Sequence, residues 1–158
     1  MKITVILNGS KTILEGSPDE SLLQYLQKKG DKSVKRGCLA GTCGACTILL
    51  NDKPAPSCKI PIGILRNCDI VTLDYFEKTE EYKSIIAGFN KAGIHLCGYC
   101  NAGKIFCAYQ VLKINKKPSR KEIADQVKHL SPCCVDLESL VNGIIYALSI
   151  NNNKQTRN

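Results

Sequence analysis

Apolar and polar positions follow two periods along the chain, and the change comes near Asp74. Ile3–Leu7 alternates apolar and polar residues, as a half-buried strand does, and Lys11–Leu14 returns after the hairpin-turn pair Asn8-Gly9. Ser17-Pro18-Asp19-Glu20 has the form of a capping box with proline at the first helical position. It predicts a helix through Leu22, Leu23 and Leu26 that stops at Gly30. Thr47–Leu50, the turn Asn51-Asp52-Lys53 and a return through Pro56 predict a second hairpin, and Ile70–Leu73 a further strand. Beyond this the spacing becomes helical. Glu81–Ala92 carries Ile85, Ile86 and Phe89 with Gly93 as its cap, and Ile105–Leu112 forms a second helix. Ser119-x-x-Glu122 opens a third as a capping box, and Glu138–Ile150 sets Leu140, Val141, Ile144, Ile145 and Leu148 on one face. Four short helices suit a small bundle. The predicted division is 1–75 for the strand-rich domain, 76–150 for the helical one, and a polar tail, 151–158, expected to be disordered.

Composition then narrows the chemistry. Ten cysteines among 158 residues are far above ordinary usage. The first residues, Met1 to Gly9, read as a strand and not as a signal peptide, and no apolar run approaches the roughly 18 residues of a membrane span. These features predict a cytoplasmic protein whose cysteines bind metal instead of pairing with one another. The formal charge of +8 raises the possibility of a nucleic-acid ligand, but the basic residues are spread out and not interleaved with aromatics. They form a solvated surface. Lysines flanking the first cysteine loop would also raise its potential or steer an acidic partner.

The cysteines fall into two constellations. Gly37-Cys38-Leu39-Ala40-Gly41-Thr42-Cys43-Gly44-Ala45-Cys46, followed by Cys58, has the spacing C-x4-C-x2-C-x11-C of a plant-type [2Fe–2S] site. Three thiolates on one loop can surround a two-iron core only if the backbone curls around it. Gly37, Gly41 and Gly44 stand where side chains would obstruct that curl. The loop's N–H groups would then face the sulfurs. A structural zinc site usually takes paired cysteines at both ends, whereas this is a tripod and a distant singleton. Cluster loop and strands together make a pattern like a β-grasp ferredoxin.

Cys97-Gly98-Tyr99-Cys100 and the vicinal pair Cys133-Cys134 supply four more thiols. Alone, Cys97-x-x-Cys100 resembles a thioredoxin-type dithiol, but that motif follows a strand and here a helix precedes it. Pairing with the distant cysteines favours a metal site between helix ends, where free N–H groups stabilise an anion.

The run GCLAGTCGACTILLNDKPAPSC, then HLCGYCNAG, then a cysteine pair before a helix resembles the small iron–sulfur subunit of the molybdenum hydroxylases. That family includes xanthine dehydrogenase, aldehyde oxidoreductase and carbon monoxide dehydrogenase. The resemblance runs from Lys2 to about Leu148. It implies an α+β chain: an N-terminal β-grasp, plant-type ferredoxin-like domain, then a C-terminal four-helix-bundle [2Fe–2S]-binding domain. It implies two clusters. Cys38, Cys43, Cys46 and Cys58 would hold an exposed one, and Cys97, Cys100, Cys133 and Cys134 a buried one. Electrons would enter the buried cluster from a molybdopterin centre in a large partner subunit and leave through the exposed one to FAD in another.

Three positions depart from the family's second motif. Leu96 replaces a glutamine that touches the pterin, Asn101-Ala102-Gly103 replaces Thr-Pro-Gly, and Pro132-Cys133-Cys134 replaces a C-x-C pair or shifts it by one residue. Cys134 keeps the family's distance to the following helix. Of the other residues, Cys68 and Cys107 read as buried small hydrophobes, since Cys107 lies roughly 10 Å along a helix from Cys100. His95 and His129 read as non-ligating, and Lys104, where an apolar residue is usual, as solvated or at a subunit contact. The sequence offers no acid–base pair, activated nucleophile or nucleotide fingerprint. The expected role is electron transfer without a substrate site. The competing readings are a stand-alone carrier or redox sensor with a degenerate second site, and a zinc module.

Overall fold

The computed structural model describes residues 1–114, 117–130 and 134–157. Its first half is a five-stranded mixed sheet. Strands β1 (Lys2–Leu7) and β2 (Ser10–Glu15) pair antiparallel through a turn in which Asn8 and Gly9 both take positive φ, 51° and 78°. Strands β3 (Thr47–Leu50) and β4 (Lys53–Pro56) form the second hairpin, and β5 (Asp69–Val71) runs between the two, giving the order β2-β1-β5-β3-β4. Helix α1 (Leu22–Lys28) lies across one face. Its Leu22, Leu23, Tyr25 and Leu26 join Ile3, Val5, Leu14, Ile48, Ile62 and Ile70 in one core.

Two local expectations are corrected here. The cap of α1 is Ser21, whose hydroxyl accepts from the Gln24 N–H (3.2 Å) while the Gln24 side chain reaches back. Ser17 does not cap, because the backbone from Pro18 to Leu22 pairs with residues 60–63: Leu22 N donates to the Ile60 carbonyl and Gly63 N to that of Pro18. The strand expected over Ile70–Leu73 ends at Val71. The Asn8 carboxamide holds Thr72 through two hydrogen bonds, and α2 (Leu73–Phe76) starts there.

The second half packs α3 (Glu80–Lys91), α4 (Asn101–Ile114), α5 (Arg120–Val127) and α6 (Leu137–Arg157) around Phe89, Ile105, Phe106, Ile123, Val141 and Ile144. Ser119 and Glu122 form the predicted capping box. Strand β3 is the wall between the halves. Successive side chains on a strand point to opposite faces, so Ile48 enters the core under α1 while Leu49 enters the helical core. The tail expected to be disordered is helical as far as Arg157. Lys154 reaches Glu80 on α3 at 3.7 Å, and Lys154 and Arg157 complement the helix dipole at its C-terminal end. Among the described residues no helix is long and apolar enough to cross a membrane.

Candidate metal centres

The first cysteine loop connects α1 to β3. Leu39, Gly41 and Gly44 take positive φ (58°, 81° and 80°), and these reversals turn the backbone N–H groups inward. Cys38 Sγ accepts from the N–H groups of Ala40, Thr42 and Cys43 at 3.2, 3.4 and 3.3 Å, and from the Thr42 hydroxyl at 3.4 Å. Cys43 Sγ accepts from the N–H groups of Cys38 and Ala45, each at 3.4 Å. A Cβ on Gly37 would run into Cys43 Sγ, so any larger residue there would displace that sulfur. The Thr42 hydroxyl, and after it the backbone donors, lower the Cys38 thiol to about 5.

The second hairpin delivers the other two thiols. Cys46 is buried just before β3, and Cys58 sits on the short turn Ser57–Lys59 after β4. Ser57 clamps the pair, donating from its N–H (3.2 Å) and its hydroxyl (2.7 Å) to the Cys46 carbonyl. Burial, and then the neighbouring Cys46 thiol, push Cys58 up to about 11. The Cys46 and Cys58 thiols interact directly, Cys38 and Cys43 each donate a backbone N–H to the other's sulfur, and no three of the four sulfurs lie within 4.8 Å of one another. Two pairs fit a two-iron core, one pair per iron. They fit poorly around a single tetrahedral ion.

The second constellation assembles where α4 begins. Gly98 (φ 85°) reverses the chain between Cys97 and Cys100, and the Asn101 side-chain carbonyl accepts the Gly98 N–H at 3.0 Å. Cys134 arrives on the segment that enters α6, which is anchored by Asp136. That carboxylate accepts from the Ser139 N–H and hydroxyl, each at 2.8 Å. The sulfurs of Cys97, Cys100 and Cys134 all lie within 4.8 Å of one another, and those of Cys97 and Cys100 are 4.0 Å apart. Cys133 lies outside the described residues. The N–H groups of Tyr99 and then Cys100 lower the Cys97 thiol to about 6. Cys100 is buried, but Cys97 and Cys134 are exposed, so the described residues do not supply the enclosure that the resemblance implies for this site.

Lys104 corrects another expectation. It is neither solvated nor at the surface: it is 2% exposed, and its ammonium donates to Cys100 Sγ at 2.9 Å. One turn of α4 separates the two residues, so the i, i+4 spacing was the available signal. The sequence also gave no hint of three contacts that join the two sites. The Lys35 ammonium donates to the Gly98 carbonyl, and the Tyr99 hydroxyl to the Arg36 carbonyl. Gly44 of the first loop and Gly103 of α4 meet backbone to backbone, with room for no side chain at either. Cys107 is buried and packs 3.9 Å from His129 Nε2, whereas Cys68 is only half-buried at the edge of the first core. Neither histidine joins the three thiols of the second group.

These environments order the thiols of the metal-free protein by reactivity. Iodoacetate is expected to label Cys38 and Cys97 first at pH 7, since thiols lowered to about 5 and about 6 are already thiolates. Their rates should stay flat at higher pH. Cys107, pushed by burial to about 11, should react last, its rate climbing about tenfold per pH unit. Peptide mass spectrometry at pH 7 and 9 reads the order. Equal rates for Cys38 and Cys107 would contradict it.

Residues 5–62 match the family model for a 2Fe-2S iron-sulfur cluster binding domain, and residues 72–144 that for a [2Fe-2S] binding domain. The chain is 34% identical to the nicotinate dehydrogenase small FeS subunit of Eubacterium barkeri over 122 residues, covering 77% of this chain and 78% of that one. It is 32% identical to the xanthine dehydrogenase iron-sulfur-binding subunit of Escherichia coli O157:H7 over 117 residues, covering 73% and 74%. Among solved structures it is similar to a chain of quinoline 2-oxidoreductase from Pseudomonas putida 86. There the TM-score is 0.83 and the identity 27%, with 96% of each chain covered.

Proposed function

Because this chain belongs to the family of small iron–sulfur subunits of the molybdenum hydroxylases, we propose that it carries electrons out of a partner's molybdopterin centre. In this reading Cys38, Cys43, Cys46 and Cys58 hold one [2Fe–2S] cluster. Cys97, Cys100 and Cys134 hold the other, together with Cys133. Each cluster, when bound, takes up and gives up one electron at a time, from the molybdopterin-containing large subunit inward and towards FAD in a third subunit outward.

The observation that carries the reading is the direct backbone contact between the two thiol sites at Gly44 and Gly103, supported by the Lys35–Gly98 and Tyr99–Arg36 hydrogen bonds. It holds two redox centres in one rigid relation without any moving part. The exposed thiols Cys97 and Cys134 suit a face that a large subunit covers. The N–H groups around Cys38 and Cys43 offset negative charge on the first site while leaving it open to an acceptor. Substrate chemistry belongs to the partner, and the complex is cytoplasmic.

Anaerobic iron and acid-labile sulfide analysis, joined to native purification, tests the proposal. The expected result is about four irons and as many sulfides per chain, in a complex that contains a molybdopterin subunit. About two irons would remove the second cluster from the proposal. Zinc without sulfide would remove both, and a chain that always purifies alone would instead indicate a free carrier.

A further inference from the structure

Lys104 stands out among the charged residues because it is buried beside a sulfur. At 2% exposure its ammonium has lost nearly all contact with water, and Cys100, 2.9 Å away, is itself only 6% exposed. Burying an ammonium costs several kcal/mol unless a negative charge is there to meet it. A metal-bound thiolate at Cys100 supplies such a charge at hydrogen-bond distance.

We propose that Lys104 is a positioning and tuning residue for the second cluster, its fixed positive charge raising that cluster's reduction potential. The inference rests on the reading of Cys100 as a ligand. Reduction adds one electron, supplied by the partner's molybdopterin centre, with no bond made or broken. The negative charge at the site therefore rises by one unit, and a cation held against Cys100 Sγ stabilises the reduced form more than the oxidised one. The low-dielectric surroundings, with Ile105, Phe106 and Ala108 buried alongside, keep that interaction from being screened. Lys35, reaching across from the first cysteine segment to donate to the Gly98 carbonyl, adds a second cation against the same loop. It contacts backbone and lies nearer the surface, so its effect is the smaller.

The test is an electron paramagnetic resonance redox titration of the holoprotein and of Lys104→Met, Lys104→Gln and Lys104→Arg. In the neutral variants the reduced-to-oxidised ratio of the second cluster at fixed potential should fall at least about tenfold, which is about 59 mV for a one-electron couple. The first cluster's midpoint should not move, and Lys104→Arg should stay close to wild type. Two clusters with an unmoved second midpoint would overturn the inference while leaving the two-cluster reading standing. A wild-type protein without a second cluster would overturn both. If Met and Gln both fail to assemble the second cluster and Arg succeeds, the charge is required at assembly and the pairing holds. If Arg fails too, Lys104 acts only through its shape and the inference falls.

Discussion

Cys134→Ser is expected to erase the second of two [2Fe–2S] electron paramagnetic resonance signals and to leave the first at full intensity. Cys134 is the described thiol that ties the segment before α6 to the start of α4, within 4.8 Å of both Cys97 and Cys100. Its backbone is fixed two residues later by the Asp136 cap, so a neighbouring group cannot slide into its place without breaking the Ser139 hydrogen bonds. A serine oxygen is a harder, poorer ligand for iron than a thiolate. The first site draws its four thiols from a different core, built around α1 and β3, and should not sense the change. Iron content should therefore fall from about four to about two per chain. Two unchanged signals in the variant would sink Cys134 as a ligand. The same exchange at Cys133 gives the complementary reading for the fourth position.

The parts of the fold that could be read in the sequence are those fixed by local chemistry. The hairpin at Asn8-Gly9 needs positive φ at both residues, and that pair adopts it at little cost. The Ser119–Glu122 box satisfies its own donors within one turn. What could not be read depends on partners distant in sequence. Ser17-Pro18-Asp19-Glu20 has all the local marks of a helix start, yet residues 60–63 compete for the same backbone groups and win. The polar residues after Asn151 looked unable to bury anything, but α6 continues because its earlier turns are already packed and each added residue needs only one more hydrogen bond. At the site, the Cys38–Cys58 spacing dictated its own loop. The depth of Lys104 and the Gly44–Gly103 meeting are tertiary facts, and a lysine or a glycine alone does not announce them.

Gly103→Ala is expected to destabilise the protein and to loosen the joint between its two metal centres, although the same exchange would favour an isolated helix. Gly103 lies within α4, and its backbone needs no left-handed conformation. Alanine there would improve helix propensity by about 1 kcal/mol. Its Cβ, however, would stand 2.8 Å from Gly44 Cα, 3.1 Å from the Gly44 carbonyl oxygen and 3.3 Å from its carbon. All three are backbone atoms of the cysteine loop and cannot rotate aside as a side chain would. Overpacking of this kind typically costs about 1–3 kcal/mol, so steric repulsion should outweigh propensity, leaving a net loss of up to about 2 kcal/mol. Relief comes by moving the Gly44 loop away from α4. That movement strains the Lys35–Gly98 and Tyr99–Arg36 bonds and lengthens the path between the sites. Gly103→Val, with two more methyl groups, should do both more severely. Urea unfolding of the holoprotein reads the first effect as a lower midpoint. Magnetic coupling between the two reduced clusters reads the second, since a dipolar splitting shrinks steeply with separation. A Gly103→Ala protein at least as stable as wild type, with its splitting unchanged, would show that the first cysteine loop and α4 do not meet as closely as Gly44 and Gly103 indicate.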